Sequence, residues 1–232
     1  MIRKTLALAA LSLTALSLAA CTAVHYESPR LAARDPGRDT IAVLPFEMIF
    51  TGKTPAHVDP AEILAIEEAE SFAFQHALYN RLLDRSSVTR ERPILVHIQP
   101  SETTNRILDA KAIDVRASWA MPAEELAAIL DVDAVVRTRV VKERYLSDLA
   151  SYTAEVGLEV VHRVSEGRAD WLIPPGLTRT HDIHAESALI SRGDADLLWK
   201  VEVHRATDWR RPANDVIVGI TRKLSKKFPY RG

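Results

Sequence analysis

Apolar and polar positions along the chain follow the two-residue period of strands in some segments and the helical period in others. Residues 40–46 form an almost continuous apolar run, which predicts a strand buried on both faces. Most of the other strand-like segments alternate, which predicts one covered face and one exposed face. The six predicted strands are residues 40–46, 93–98, 132–143, 152–162, 181–190 and 197–205.

Four further segments have apolar residues at helical spacing, and the longest of them runs from about residue 59 to 85. Asp59 and Pro60 fit its N-cap and first helical position. The other predicted helices are residues 101–108, 121–130 and 213–227. Two apolar rows of the long helix are predicted to face the sheet: Ile66, Ala69, Ala73 and Ala77, and Phe74, Leu78 and Leu82. Three glutamates, Glu67, Glu68 and Glu70, are predicted to lie on its solvent side.

These elements predict one α/β domain, residues 40–232, with a single mixed β-sheet of about six strands and helices packed on it. A turn at residues 192–194 joins the last two strands into a hairpin. Gly193 is predicted to supply the positive φ of that turn.

The first twenty residues have the organisation of an export signal rather than of a folded element. Arg3 and Lys4 precede an apolar stretch, residues 6–18, that is short for a membrane span. Leu18-Ala19-Ala20-Cys21 resembles the bacterial lipoprotein box, in which cleavage before the cysteine is followed by its lipidation. The sequence therefore predicts a signal peptide at 1–20 and a lipid on Cys21, the only cysteine of the chain.

Residues 21–39 are polar, contain Pro29 and Pro36, and predict a flexible tether between the lipid and the domain. A fully acylated Cys21 would hold the protein at a membrane without a spanning segment. Thr22 stands where an aspartate would indicate inner-membrane retention. The resemblance to sorted lipoproteins thus implies the periplasmic face of the outer membrane.

Composition and motifs exclude several chemistries. The formal net charge of −1 gives no reason to expect nucleic acid as a partner. Gly52-Lys53-Thr54 imitates the end of a phosphate loop, but Glu47 stands at the first glycine position and Pro55 interrupts the helix, so no nucleotide is expected. No catalytic motif is found, and no cofactor is predicted.

The histidines are predicted not to bind metal. His181 and His184 are three residues apart on a strand, so their side chains point to opposite faces. The other histidines, including His204, are dispersed over different elements. Candidate partner-binding residues are instead four aromatics near irregular segments: Tyr145, Tyr152, Trp171 and Trp209.

The order of elements resembles a known superfamily. The matching features include Ile41-Ala42-Val43-Leu44-Pro45-Phe46, the long helix, the strand Val132-Asp133-Ala134-Val135-Val136, and the final Phe228-Pro229. They are similar to curli-secretion channel lipoproteins (CsgG type), the TolB amino-terminal domain and the lipoprotein activators of peptidoglycan synthases (LpoB type). Asp131 and Arg137 depart from the usual glycine and small residue.

The resemblance and the anchor predict a non-enzymatic envelope lipoprotein that binds a protein partner or its own copies in outer-membrane assembly or secretion. One alternative is a CsgG-like oligomeric secretion channel, although Arg137, Arg139 and Glu155 make a lipid-facing strand surface hard to find. The other alternative is an envelope hydrolase whose site is assembled only in three dimensions.

Overall fold

Seven strands form one open mixed sheet in the part of the chain that the structure describes, with six helices packed against it. The structure is a computed structural model that describes residues 25–34, 37–52, 59–86, 93–144, 181–207 and 213–230. The predicted α/β class with a single mixed sheet is confirmed.

The strands are β1 (His25–Glu27), β2 (Thr40–Val43), β3 (Glu47–Gly52), β4 (His97–Ile98), β5 (Ala134–Arg144), β6 (His181–Ser191) and β7 (Leu197–Thr207). The helices are α1 (Pro29–Ala32), α2 (Pro60–Ser86), α3 (Ser101–Ala110), α4 (Val115–Ala120), α5 (Ala123–Ile129) and α6 (Ala213–Lys227). The strand order is β1-β7-β6-β5-β2-β4, and β3 also pairs with β5.

β5 organises the sheet because both of its edges are paired. One edge runs antiparallel to β6 along the whole strand. The other edge pairs in parallel with β2 and then with β3, which lie in line along it. Between them Leu44 N donates to Val136 O at 3.0 Å, whereas Pro45 has no N–H to donate. Pro45 therefore divides one long parallel edge into two strands.

Alternate residues of the central strands supply two cores, one on each face of the sheet. Val43 and Val136 belong to the larger core, which α2 and α6 cover. Ala42 and Val135 point the other way and pack with Leu126 of α5. The run at 40–46 is apolar without alternation because both of its faces are covered, as predicted.

The sheet extends into the segment that the sequence predicts as a tether. β1 pairs with β7, Ser28 N donates to Leu198 O at 2.8 Å, and Leu31 of α1 is buried in the larger core. β3 was not predicted either, because the predicted strand ends at Phe46, next to Pro45. The predicted strand at 152–162 lies outside the described residues.

The hairpin between β6 and β7 is confirmed, but its left-handed residue is not the glycine. Ala195 has φ of 53°, whereas Gly193 lies outside the left-handed region. Among the residues described, no helix is both long enough and apolar enough to cross a membrane.

Candidate interaction surface

The predicted site residues lie where the structure gives no description. Cys21, Tyr145, Tyr152, Trp171 and Trp209 are all outside the described ranges. Lipidation of Cys21 and partner binding by the four aromatics therefore stay predictions.

The described residues contain a surface that the sequence assigned to the core. Helix α2 buries the row of Phe74, Leu78 and Leu82, as predicted, but it turns Ile66, Ala69 and Ala73 to the solvent. Larger apolar side chains release more free energy on burial than alanine does, so the phenylalanine and leucine row takes the core. Phe74 stacks on Phe46 with ring centroids 5.4 Å apart.

The outer surface of α2 is consequently rich in small and apolar side chains. Ile66 and Phe72 are 40% and 38% exposed, and Leu83 near the end of the helix is 48% exposed. We define the α2 surface as Ala65, Ile66, Ala69, Phe72, Ala73 and Leu83. Apolar residues grouped in this way on a solvent-exposed surface are typical of binding surfaces, whereas single exposed apolar residues are not.

Polar residues occupy part of the buried side of α2: Glu67 and Gln75 have hydrogen-bond partners, whereas Ser71 Oγ has none among the described residues. Gln75 Nε2 donates to Val43 O at 2.8 Å and to Asn105 Oδ1 at 2.9 Å, and Asn105 Nδ2 donates back to Gln75 Oε1 at 3.0 Å. This amide pair satisfies the carbonyl at the end of β2 and fixes α3 against α2.

Glu67 is also buried, against the prediction that it faces solvent. It accepts hydrogen bonds from Phe50 N at 3.2 Å and from Arg116 at 2.8 Å. Arg116 also donates to Glu68 at 2.9 Å and lies 5.0 Å from the ring centre of Trp119. The hydrogen bond to Glu67 is the main cause of a raised pKa for the Arg116 guanidinium, which burial opposes.

Replacing Arg116 with methionine is expected to lower the free energy of unfolding by about 1–3 kcal/mol, because the buried Glu67 carboxylate loses its charged donor. Urea unfolding followed by circular dichroism measures the change. Adding Glu67→Gln should restore much of the loss, since the buried charge is then gone. Arg106 is exposed on α3, so Arg106→Met is the matched control. An equal loss of stability in Arg106→Met and Arg116→Met would contradict the pairing of Arg116 with buried Glu67.

An open cleft of about 440 Å³ lies between α2 and the α3–α4 segment, beside the α2 surface. Phe72, Leu108 and Ile113 contribute apolar walls. The charged side chains around it are Glu68, Asp109, Asp114 and Arg116. Arg116 is already bonded to Glu67 and Glu68, so the rim favours cationic over anionic groups on a partner.

A serine and a histidine meet near this cleft without forming a catalytic relay. Ser101 Oγ lies 2.9 Å from His76 Nδ1, and Glu102 Oε1 lies 3.6 Å from the same nitrogen. A serine–histidine–acid relay needs the serine and the acid on different ring nitrogens. Ser101 is also 1% exposed, so its hydroxyl is closed to a substrate.

No protein-family model matches the chain, and no curated protein matches its sequence. Solved structures match the chain at TM-scores below 0.5 and low sequence identity. A PelC dodecamer from Paraburkholderia phytofirmans is 12% identical, with TM-score 0.41 over 89% of this chain and 95% of that chain. Lipoprotein GNA1162 from Neisseria meningitidis is 11% identical, with TM-score 0.39 over 82% of this chain and 96% of that chain.

The LpoB C-terminal domain from Salmonella enterica is 7% identical, with TM-score 0.34 over 84% of this chain and 91% of that chain. An LpoB domain, of the type that the sequence resembles, is thus among the solved structures that the chain matches, at low sequence identity.

Proposed function

We propose that the protein is a non-enzymatic, lipid-anchored envelope protein that binds a protein partner or further copies of itself through the α2 surface. The observation that carries the proposal is the exposed apolar side of α2, with Phe72 at its middle. Residues 18–21 support the membrane anchor, which we place on the periplasmic face of the outer membrane.

The adjacent cleft supports the same surface. Aromatic side chains next to charged groups are favoured anchors in protein interfaces. Phe72 lies both on the α2 surface and in the wall of the cleft, so one partner segment can contact both. The acidic rim favours a partner segment with apolar and basic residues, because its charges would be complementary.

A photo-crosslinking amino acid at position 72 in living cells tests the proposal. We expect a specific adduct there and none at position 197, because Leu197 is a separate β7 position with the same exposure, 38%. An adduct of twice the chain mass identifies a second copy, and any other is identified by mass spectrometry. The adduct should disappear when Ala69→Glu and Ala73→Glu place charges beside position 72.

Equal labelling at positions 72 and 197, or labelling of lipid alone at both, would remove the support for the α2 surface. Retention of the position 72 adduct in the two-glutamate variant would do the same. Circular dichroism of that variant is the control for folding, since both alanines are exposed and the helix tolerates glutamate.

A further inference from the structure

Two histidines that are far apart in the sequence face each other across the β6–β7 hairpin. His184 and His204 are direct cross-strand partners, and their ring centroids are 4.1 Å apart. His184 Nδ1 lies 2.7 Å from His204 Nε2. Glu202 lies two residues before His204, on the same side of the strand.

These three side chains bring their ligand atoms together. One nitrogen from each imidazole and one carboxylate oxygen of Glu202 lie within 4.8 Å of one another. We propose that His184, His204 and Glu202 form a binding site for a divalent transition-metal ion, of which Zn²⁺ is the test case. Two imidazoles and one carboxylate, with an open position for water, are a ligand set that zinc accepts.

The geometry needs only a small adjustment. Two nitrogens bound to one tetrahedral zinc at about 2.0–2.1 Å are about 3.3 Å apart, against 2.7 Å here. His204 is exposed and His184 is half-buried, so small rotations of the rings can open that distance. Without metal, the short contact is a hydrogen bond between two imidazoles, in which one ring donates and the other accepts.

Two carboxylates and two lysines surround the histidine pair, so their formal charges cancel. Lys200 Nζ lies 3.0 Å from Glu186 and 3.6 Å from Glu202 Oε1, so Glu186 takes the closer contact. Lys223 Nζ also donates to the backbone oxygen of His204 at 3.4 Å, so these four charged side chains sum to zero and no net positive charge opposes a cation. The Glu186 contact is the main cause of a raised pKa for the Lys200 ammonium.

The strands hold the ligands in place. On the other face of the hairpin, Ala185 and Val203 lie opposite each other and are buried in the larger core. The backbones of β6 and β7 are therefore fixed by these core contacts, and only the ligand side chains must become ordered around the ion. The site is on the sheet face opposite α2, so its failure would leave the proposed function unaffected.

Zinc titration of the whole mature protein in detergent, purified without a polyhistidine tag and stripped with a chelator, tests the site by calorimetry. His184→Asn and His204→Asn are each expected to weaken zinc binding about tenfold or more, because each removes a ligand. Even the loss of a hydrogen-bond partner of a ligand weakens metal binding by about that much. Glu202→Gln should also weaken it. His97→Asn, at an exposed strand position on β4, is the matched control and should bind as the unchanged protein does.

Cobalt provides a second readout, because its visible absorption is intense in a tetrahedral nitrogen and oxygen site and weak when the ion is hydrated. We expect the intense band in the unchanged protein and in His97→Asn, and its loss in both hairpin histidine variants. Unaltered zinc affinity in His184→Asn and His204→Asn, or no binding by the unchanged protein, would overturn the proposal.

Discussion

Replacing Cys21 with alanine is expected to move the protein from the membrane fraction to the soluble fraction of the cell envelope. Each buried lipid methylene contributes about 0.8 kcal/mol, so two acyl chains anchor a protein stably whereas no chain leaves only weak contacts. The expected shift is thus close to complete rather than partial. Fractionation followed by immunoblotting measures it, and mass spectrometry of the amino-terminal peptide shows whether the lipid is present.

An uncleaved leader is the main complication of that experiment, because the apolar stretch at residues 6–18 could itself hold the variant at the membrane. A second variant therefore combines Cys21→Ala with the leader of a soluble exported protein in place of residues 1–20. Thr22→Ala is the matched control and should stay in the membrane fraction. Membrane retention of the second variant after a high-salt wash would refute the anchor at Cys21.

Replacing Trp199 with alanine is expected to lower the free energy of unfolding by about 3–5 kcal/mol. Trp199 is completely buried in β7, and its ring meets Phe228 edge-on with centroids 5.4 Å apart. Its Nε1 lies 3.3 Å from His25 Nε2 of β1, so the substitution also removes a contact to the edge strand. A native domain is stabilised by only about 5–15 kcal/mol, so this loss should lower the melting temperature by about 10 °C.

Thermal unfolding followed by circular dichroism measures the effect of Trp199→Ala. Trp199→Phe should cost much less, because a ring still fills most of the space. Leu197→Ala is the control from the same strand, and it should have little effect because Leu197 is partly exposed. A melting temperature for Trp199→Ala equal to that of the Leu197→Ala control would show that this part of the core is not packed as described.

The periodicity of apolar residues predicted helix α2 itself but only part of its orientation. Its existence, its Asp59 cap and the burial of Phe74, Leu78 and Leu82 were all predicted, and Ala61 N indeed donates to Asp59 Oδ1 at 2.9 Å. The orientation was partly wrong, because alanines at helical spacing were treated as equal to larger residues. A weighting by side-chain size favours the observed face, but the burial of Glu67 depends on Arg116 from another helix.

The contact between His184 and His204 was not predicted from the sequence. His181 and His184 are close along one strand, whereas His204 lies on a different predicted strand. The hairpin register places His184 against His204. Their nearly equal distances from the turn at 192–195 were the available signal, but a bulge at Leu189 and Ile190 shifts the register. A slip of one residue would have put the two rings on opposite faces.

The sequence by itself determined α2, α3, α5 and α6 and the strands β2, β5, β6 and β7, because the period of apolar residues is a local property of the chain. It also provided the resemblance to a lipoprotein fold and the candidate anchor at Cys21. It did not predict the shorter elements β1, β3, α1 and α4. Only the tertiary structure decided which side of α2 stays exposed, how Glu67 is paired and which histidines meet. These depend on neighbours brought together by strand register and helix packing, where free energies are set by contacts between residues distant along the chain.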